Sequence, residues 1–202
     1  MSDLFVISAA SGTGKTSLVK ALLAALPNLV VSVSSTTRAP RPGETNGVHY
    51  HFIDRHRFES LVEQGAFIEH ACVFDNLYGT SRAAVEESLA SGMDVILEID
   101  WQGAQHVRTM FPNAVSIFIL PPSRETLRQR LQGRAQDHAD IIEKRLAGSC
   151  VEISHWNEFE YVVINDSFST ALADIVSIVR ARRLLRTHRP AELHQLTASL
   201  LG

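Results

Sequence analysis

The chain begins with the stretch "LFVISAASGTGKTSLVKALLAAL", residues 4–26, in which an apolar run, a loop of small residues and a helical pattern follow directly on one another. The run at residues 4–7 has the length of a buried strand, and the pattern at 16–26 predicts a helix that ends before Pro27. Between them, "AASGTGKT" at 9–16 matches the phosphate-binding loop, except that Ala9 stands where the first glycine is expected. The order of strand, loop and helix therefore predicts a nucleotide phosphate site.

Each residue type in this loop suits the binding of phosphate. Gly12 and Gly14 let the backbone turn so that successive N–H groups point inward, and the helix that follows adds its positive end. Lys15 is expected to reach the terminal phosphates and Thr16 to hold Mg²⁺, while Ala9 is tolerated if its φ is negative. The predicted phosphate-binding residues are Ser11, Gly12, Thr13, Gly14, Lys15, Thr16 and Ser17.

The rest of the chain repeats the alternation of strand and helix. Continuous apolar runs indicate strands that are covered on both faces, and helical patterns follow several of them. This alternation predicts an α/β fold with a parallel, doubly wound sheet. The predicted strands lie at residues 4–7, 29–33, 95–99, 115–120 and 161–164, and the predicted helices at 16–26, 102–110 and 123–131.

Two stretches interrupt the alternation and predict insertions above the carboxyl edge of the sheet, where such folds bind ligands. The first combines strand patterns with one capped helix pattern at 54–64 and indicates a mixed β lobe. The second is a helical pair rich in arginine, and a basic and then amphipathic tail pattern from Arg180 indicates packing or fraying. The expected division is a core of residues 1–34, 93–123 and 158–185, a lobe of 35–92, a lid region of 124–157 and a tail of 186–202.

The composition narrows the function classes. A chain of 202 residues with 45% hydrophobic content predicts one domain, and its net charge of −3 gives no general attraction for nucleic acid or an anionic membrane. Only three of the 19 basic residues are lysines, and the arginine fork suits phosphate oxygens. No apolar stretch approaches membrane-spanning length. Cys72 and Cys150 have no metal-binding spacing, so we expect buried free thiols and a cytoplasmic protein.

Two carboxylates at the end of a predicted strand indicate where a metal ion or its waters would be held. Glu98 and Asp100 lie two residues apart at the end of a predicted strand, so both leave the same face near the phosphate loop. Spacing leaves open which of the two serves metal and which serves substrate.

A basic loop indicates a second phosphate site. Arg38 and Arg41 lie three residues apart in this proline-stiffened loop and could clamp another phosphate. Hydroxyl donors for that phosphate could come from Tyr50 and Tyr78.

The chain resembles the guanylate kinase family from residue 4 to about residue 183. Two departures are small, because Ala135 stands where the family often has glycine and Thr80 keeps the hydroxyl of the more frequent serine. The strings that carry the resemblance are "SGTGKTS" (11–17), "SVSSTTRAPRPGE" (32–44), "GVHYHF" (47–52), "GAFIEHA" (65–71), "LYGTS" (77–81), "LEIDWQGAQ" (97–105), "ILPPS" (119–123), "RLQGR" (130–134), "EKRL" (143–146) and "VIND" (163–166).

The resemblance implies transfer of a phosphoryl group from ATP with Mg²⁺ to GMP, on a P-loop NTPase-type core with an inserted mixed-β GMP-binding lobe and a helical lid. It implies that Asp100 lies beside Mg²⁺ and the nucleophile, and that Asn165 lies near the adenine. The lid arginines that it assigns to the transferring phosphates are Arg130, Arg134 and Arg145. The residues that it assigns to the GMP phosphate are Arg38, Arg41, Tyr50 and Tyr78, and those that it assigns to the guanine or its surroundings are Ser34, Glu69, Thr80 and Glu98.

The chemistry of guanine supports this assignment. Its N1–H and N2–H₂ are adjacent donors that one carboxylate, such as that of Glu69, can accept, whereas adenine presents a lone pair at N1. Two alternatives are a related P-loop kinase of sugar phosphates, such as ribosyl bisphosphate phosphokinase, and a non-catalytic module of guanylate-kinase type. The first needs no guanine-reading set, and the second typically lacks a working phosphate loop.

Overall fold

The computed structural model describes residues 2–73, 75–134 and 139–202. The strands are β1 (Leu4–Ala9), β2 (Leu29–Val31), β3 (Ser35–Thr36), β4 (His51–Phe52), β5 (Phe67–Val73), β6 (Asn76–Ser81), β7 (Asp94–Glu98), β8 (Val115–Leu120) and β9 (Tyr161–Ile164). The helices are α1 (Lys15–Ala25), α2 (Arg55–Glu63), α3 (Arg82–Ala90), α4 (Trp101–Met110), α5 (Arg124–Arg134), α6 (Ala139–Ser154), α7 (Phe168–Arg183) and α8 (Pro190–Leu201), with short 3₁₀ turns at Trp156–Glu158 and Arg186–His188.

Five parallel strands form the central sheet in the order β2-β7-β1-β8-β9. β1 lies in the middle, where Val6 pairs with Leu97 of β7 and Ile7 pairs with Ile117 of β8. Because β1 lies between β7 and β8, the carboxyl ends of these three parallel strands lie together beside the loop that follows β1. The predicted α/β fold with a parallel sheet is confirmed.

Helices cover both faces of the central sheet, which explains its continuous apolar strands. On one face, Phe5 packs in a buried cluster with Leu22 of α1 and Ile175 of α7. On the other face, Val6 packs in a second cluster with Val85 of α3 and Val107 of α4. The two clusters hold β1 and the loop after it on a rigid base.

A second, mixed sheet has the order β4-β3-β6-β5. β5 and β6 form an antiparallel hairpin with an irregular register between Phe67 and Glu69, and the ring of Phe58 from α2 lies 4.8 Å from that of Phe67. The side chain of Asp54 accepts a hydrogen bond from the Arg57 N–H and caps α2, as the sequence pattern predicts. The mixed sheet of the predicted lobe is therefore present.

The structure adds two helices that the sequence patterns did not predict. α3 lies within the range of the expected lobe, yet its Val85 packs against the central sheet. α7 runs from Phe168 to Arg183, and Arg183 donates to Asp94 over 2.7 Å. The basic start of the tail pattern is thus a packed helix end. None of the helices in the described ranges is long and apolar enough to cross a membrane.

The expectation of buried cysteines is wrong. Cys72 and Cys150 are free thiols, but both are exposed. Cys72 lies on the outward face of β5, since the inward positions of this strand alternate with it, and Cys150 follows the buried Ser149 on α6. The thiols face solvent because neither element is covered on its outer side at these positions.

Candidate active site

The loop after β1 has the backbone geometry of a phosphate cradle. Gly12 and Gly14 have φ values of +86° and +95°, a region that L side chains rarely adopt. A Cβ atom on Gly14 would also lie 2.6 Å from the amide nitrogen of Asn165, so this position has no room for a side chain. Ala9 is the last residue of β1 and has no positive φ, so the loop tolerates alanine there.

Two side chains at the start of α1 connect this loop with the end of β7. The ammonium of Lys15 donates to the carbonyl of Ile99 over 3.3 Å, and the hydroxyl of Thr16 donates to the carboxylate of Glu98 over 3.2 Å. The carboxylate of Asp100 accepts the Gly103 N–H over 2.8 Å and caps α4. Glu98 and Asp100 thus lie opposite the phosphate loop, as their spacing predicts.

A first cleft of about 280 Å³ opens between the phosphate loop, the end of β7 and the β5–β6 hairpin. It brings together Lys15, Glu69 and Asp100, each more than 30 positions from the next in the sequence. The predicted site residues that line this first cleft are Ser11, Gly12, Gly14, Lys15, Thr16, Ser34, Tyr50, Glu69, Tyr78, Glu98 and Asp100.

Glu69 is the most buried carboxylate of this cleft, with 5% of its surface exposed. Its partner across the hairpin is Thr80, whose hydroxyl donates to Glu69 Oε1 over 2.5 Å, and the hydroxyl of Ser34 lies 3.4 Å from that of Thr80. Burial raises the pKa of the Glu69 carboxyl from 4.5 to about 7, against the opposing effect of the Thr80 hydrogen bond. The site therefore holds a carboxyl group that is shielded from solvent and has a pKa close to neutral pH.

A second cleft of about 440 Å³ continues from the first past Thr16 and Glu98. The guanidinium of Arg38 lies 5.5 Å from the centre of the Tyr50 ring, and the Tyr50 and Tyr78 rings are 5.9 Å apart. Arg41 also lines this cleft, so the structure brings the four predicted phosphate-clamp residues together.

Glu44 belongs to this clamp, although the sequence analysis did not single it out as a site residue. Its carboxylate accepts from the Arg38 guanidinium over 2.8 Å and from the Arg41 N–H over 2.7 Å. The hydrogen bond to Arg38 is the main cause that lowers the pKa of Glu44. The glutamate holds the two arginines in one loop, and its position three residues after Arg41 was the available signal.

A third cleft of about 430 Å³ lies on the other side of the phosphate loop, between Gly12, Arg130, Asn165 and Phe168. The buried amide of Asn165 donates to the Thr13 carbonyl over 2.6 Å. Arg130 donates to the Asn165 carbonyl over 3.0 Å. Arg130 from the lid region and Asn165, which follows β9, thus lie together beside the phosphate loop.

The other two predicted lid arginines are placed less completely. Arg145 lies on α6. Arg134 is the last residue of α5, but its side chain falls outside the described part of the chain, as does the whole of Ala135.

Glu152 on α6 lines the first cleft and was missed by the sequence analysis. Its carboxylate accepts the Ser11 N–H over 3.1 Å, and the Ser149 hydroxyl lies 3.4 Å from the Ser11 carbonyl, to which it donates. Burial raises the pKa of Glu152, and the Ser11 N–H and Lys15 oppose that shift. A signal was present, because Arg145, Ser149 and Glu152 follow at i, i+4 and i+7 on one helix face.

Known proteins resemble this chain in both sequence and structure. The sequence model of a family described as "Guanylate kinase" matches residues 1–182. The chain is 57% identical to the guanylate kinase of Chromohalobacter salexigens over 199 residues, 98% of this chain and 93% of that protein. It is 55% identical to that of Saccharophagus degradans, with 98% and 97% coverage. The crystal structure of guanylate kinase from Anaplasma phagocytophilum is similar, with a TM-score of 0.75, 38% identity and coverage of 91% and 87%.

Proposed function

The chain belongs to the guanylate kinase family, and we propose that its site transfers the terminal phosphoryl group of ATP to the phosphate of GMP. The chain is a phosphotransferase of the nucleoside monophosphate kinase type. The proposed reaction converts ATP and GMP to ADP and GDP and runs in both directions.

One observation carries the choice of substrates. The first cleft joins a phosphate loop at one end to the buried pair of Glu69 and Thr80 at the other. A phosphate cradle alone fits many nucleotides. A desolvated carboxylate that forms no ion pair with any cation of the described residues instead favours a ligand that offers hydrogen-bond donors.

Guanine supplies those donors. Its N1–H and N2–H₂ can both donate to the carboxylate of Glu69, while the hydroxyls of Thr80 and Ser34 can donate to O6 once they turn toward the base. Adenine would set its N1 lone pair against the carboxylate and leave a buried charge unpaired. A site built for hydrogen bonds rejects such a mismatch by roughly 10⁴-fold.

The second cleft suits the phosphate of GMP. Arg38 and Arg41 supply guanidinium groups and Tyr50 and Tyr78 supply hydroxyls, and all four line one cavity. Glu44 already holds the Arg38 fork in place, so an arriving phosphate meets a preformed donor set. Glu98, which is predicted to face the guanine or its surroundings, also lines this cleft, together with Thr16.

ATP would be held from the opposite side. The backbone N–H groups of the phosphate loop and the Lys15 ammonium would take the β- and γ-phosphates, in the manner of other loops of this type. The third cleft, beside Asn165, would receive the adenine. The proposed partners of the transferring phosphoryl group are Arg130, Arg134 and Arg145 from the lid region.

The transfer needs no side chain to act as a strong base. A GMP phosphate oxygen is already an anion, and it forms the new bond to the γ-phosphorus as the bond from that phosphorus to the β–γ bridging oxygen breaks. ADP leaves with the electron pair of that bond. The work of the protein is to neutralise and align two polyanions and to exclude water, which would otherwise accept the phosphoryl group.

Mg²⁺ fits the residues that surround the loop. The hydroxyl of Thr16 and the carboxylates of Glu98 and Asp100 line the first cleft beside the phosphate loop, and hard oxygen groups are those that Mg²⁺ prefers. Thr16 would hold the ion, with Asp100 acting through water, and the bound ion would neutralise phosphate charge. No group of three or more His, Cys, Asp or Glu side chains in the described ranges forms a metal site without phosphate.

In the proposed function, the two substrates bind to different regions of the chain. Residues 1–34, 93–123 and 158–185 would form the core that holds ATP, residues 35–92 the lobe that holds GMP, and residues 124–157 the lid. We propose the cytoplasm as the location, since the free, exposed thiols of this chain suit a reducing compartment. The proposed partners are ATP and GMP, without nucleic acid or membrane.

The test is ADP release from ATP and Mg²⁺ with GMP, dGMP, AMP or ribose bisphosphate as the acceptor. We expect GMP to exceed AMP in kcat/KM by roughly 10⁴-fold. Equal rates for AMP and GMP would contradict the reading of the base by Glu69. Turnover of ribose bisphosphate would instead favour a sugar-phosphate kinase, and no turnover with any acceptor would favour a binding module.

A further inference from the structure

Gly103, in the first turn of α4, stands directly behind Glu69. A Cβ atom built on Gly103 would lie 2.7 Å from Oε2 of Glu69 and 3.2 Å from its carboxyl carbon. Carbon and oxygen atoms that are not bonded keep roughly 3.5 Å apart. The carboxylate of Glu69 therefore occupies space that only a glycine leaves open.

The backbone at Gly103 does not explain this glycine. Its φ is not positive, so any L residue could adopt its helical conformation. A glycine within a helix is less stable than alanine by about 1 kcal/mol. The close approach of Glu69 is thus the tightest contact that a side chain would meet here, and the Ile99 Cβ atom at 3.3 Å adds a weaker one.

Neither partner can move away easily. Glu69 is held on its other oxygen by Thr80 over 2.5 Å and is almost completely buried. α4 is fixed by the Asp100 cap on the Gly103 N–H and by the adjacent Ala104, which is fully buried against the central sheet. A side chain at residue 103 would push the carboxylate toward the cleft or break its bond to Thr80.

We propose that Gly103 is a positioning residue for substrate specificity. Because it has no side chain, the Glu69 carboxylate can lie at the position from which it meets the guanine. This inference rests on the proposed function. A shift of a few tenths of an ångström to 1 Å moves hydrogen bonds out of their favourable range, and it would act on the base of GMP. The ATP side would keep its geometry, because the three atoms nearest to a Cβ atom at residue 103 belong to Glu69 and Ile99 and none to the phosphate loop.

The test compares Gly103→Ala with a matched change at Gly148, another helical glycine without a positive φ, where a Cβ atom meets nothing within 4 Å. We expect Gly103→Ala to raise the KM for GMP by about tenfold or more and to lower the preference for GMP over AMP. The KM for ATP should stay within about twofold. Gly148→Ala should leave both KM values unchanged.

Two further variants separate positioning from a general structural effect. In a Glu69→Ala background the clash partner is gone, so adding Gly103→Ala should not weaken GMP binding further by calorimetry. If the second change still weakens binding, the inference is wrong. If Gly103→Ala alone fails to fold, the double variant should recover a cooperative melt, and failure to recover would equally overturn the inference.

The same experiment keeps this inference apart from the proposed function. A wild-type enzyme that does not prefer GMP over AMP would refute the proposed function before any variant is measured. A wild-type enzyme that prefers GMP, together with an unchanged KM for GMP in Gly103→Ala, would refute the inference alone.

Discussion

The carboxyl group of Glu69 lies on the buried side of β5, and its chemistry depends on that burial. A glutamate in water titrates near pH 4.5, but desolvation raises the pKa of this group to about 7. Only the ionised form can accept both guanine donors. Bound guanine would thus favour loss of the proton.

This shift predicts how GMP binding depends on pH. As the pH rises from 6 to 7, the ionised fraction of Glu69 grows, and the affinity for GMP should rise by up to about tenfold per unit below the pKa and level off above it. Titration calorimetry with GMP from pH 5.5 to 8.5 measures this profile. Glu69→Gln is the control, since it should weaken GMP and spare ATP while retaining only the titration of the GMP phosphate itself. An identical pH profile in wild type and Glu69→Gln would show that Glu69 does not control it.

Lys15 provides a second prediction for a single residue. Its ammonium lines the first cleft beside the end of β7, about where the terminal phosphates of ATP would lie. Lys15→Ala should lower kcat by at least about 10²-fold, because one charge that stabilises the transition state is lost. GMP should still bind with near wild-type affinity by calorimetry. Loss of GMP binding with turnover intact would contradict the assigned role.

At the scale of elements, helix α6 is hydrogen-bonded to Ser11 of the phosphate loop. Ser149 and Glu152 bond the carbonyl and the N–H of Ser11, and Arg145 lies on the same face one turn earlier. The position of this arginine relative to the phosphates therefore depends on the contact between α6 and the loop.

Removing the carboxylate of Glu152 tests this connection. Glu152→Ala should lower kcat/KM for ATP by about fivefold or more, since a hydrogen bond of about 1 kcal/mol to the loop is lost. Glu152→Gln keeps an acceptor oxygen and should lose less than about twofold in steady-state kinetics with saturating GMP. If the two variants are equally impaired, the charge rather than the hydrogen bond carries the effect.

At the scale of the whole molecule, partly buried ion pairs join the start of β1 and the start of β7 to the end of α7, at the amino ends of the strands and remote from the site. Asp94 accepts the Asp3 N–H over 2.7 Å and the Arg183 guanidinium over 2.7 Å. Arg182 donates to Asp3 over 3.0 Å. The start of β1, the start of β7 and the end of α7 are held together by these bonds.

Asp94→Ala should therefore destabilise the fold without changing the chemistry. It leaves the Asp3 N–H and the Nε–H of Arg183 without their acceptor, while Arg183 Nη2 keeps the Pro27 and Asn28 carbonyls. This loss should lower the free energy of unfolding in urea by about 1 to 3 kcal/mol. Glu86→Ala removes an exposed i, i+4 pair with Arg82 and should cost about 0.5 kcal/mol or less. Both variants should keep wild-type kcat/KM at temperatures where they are folded. A loss below about 1 kcal/mol for Asp94→Ala would contradict the role of this contact.

Much of this molecule followed from local sequence. The apolar runs predicted the five strands of the central sheet, and the loop at 9–16 identified the phosphate cradle, because glycine conformations and strand periodicity are local properties. The sequence patterns do not predict helix α7, because it starts at Phe168, well before the basic pattern that begins at Arg180. The exposure of Cys72 and Cys150 also depended on which faces are covered, and the sequence does not give that.

The sequence by itself determined the chemistry that the chain carries: a phosphate loop ending in Lys15, an arginine clamp and an acidic residue suited to guanine. Only the tertiary structure decided that Glu69 is dry, that Thr80 holds one of its oxygens and that Gly103 leaves room for the other. The three residues come from β5, β6 and α4, and their separation in the sequence does not indicate how close they lie in the folded protein. Burial and close approach arise when separate elements pack together, and for that reason the pKa of Glu69 and the need for a glycine at residue 103 became visible only in the folded protein.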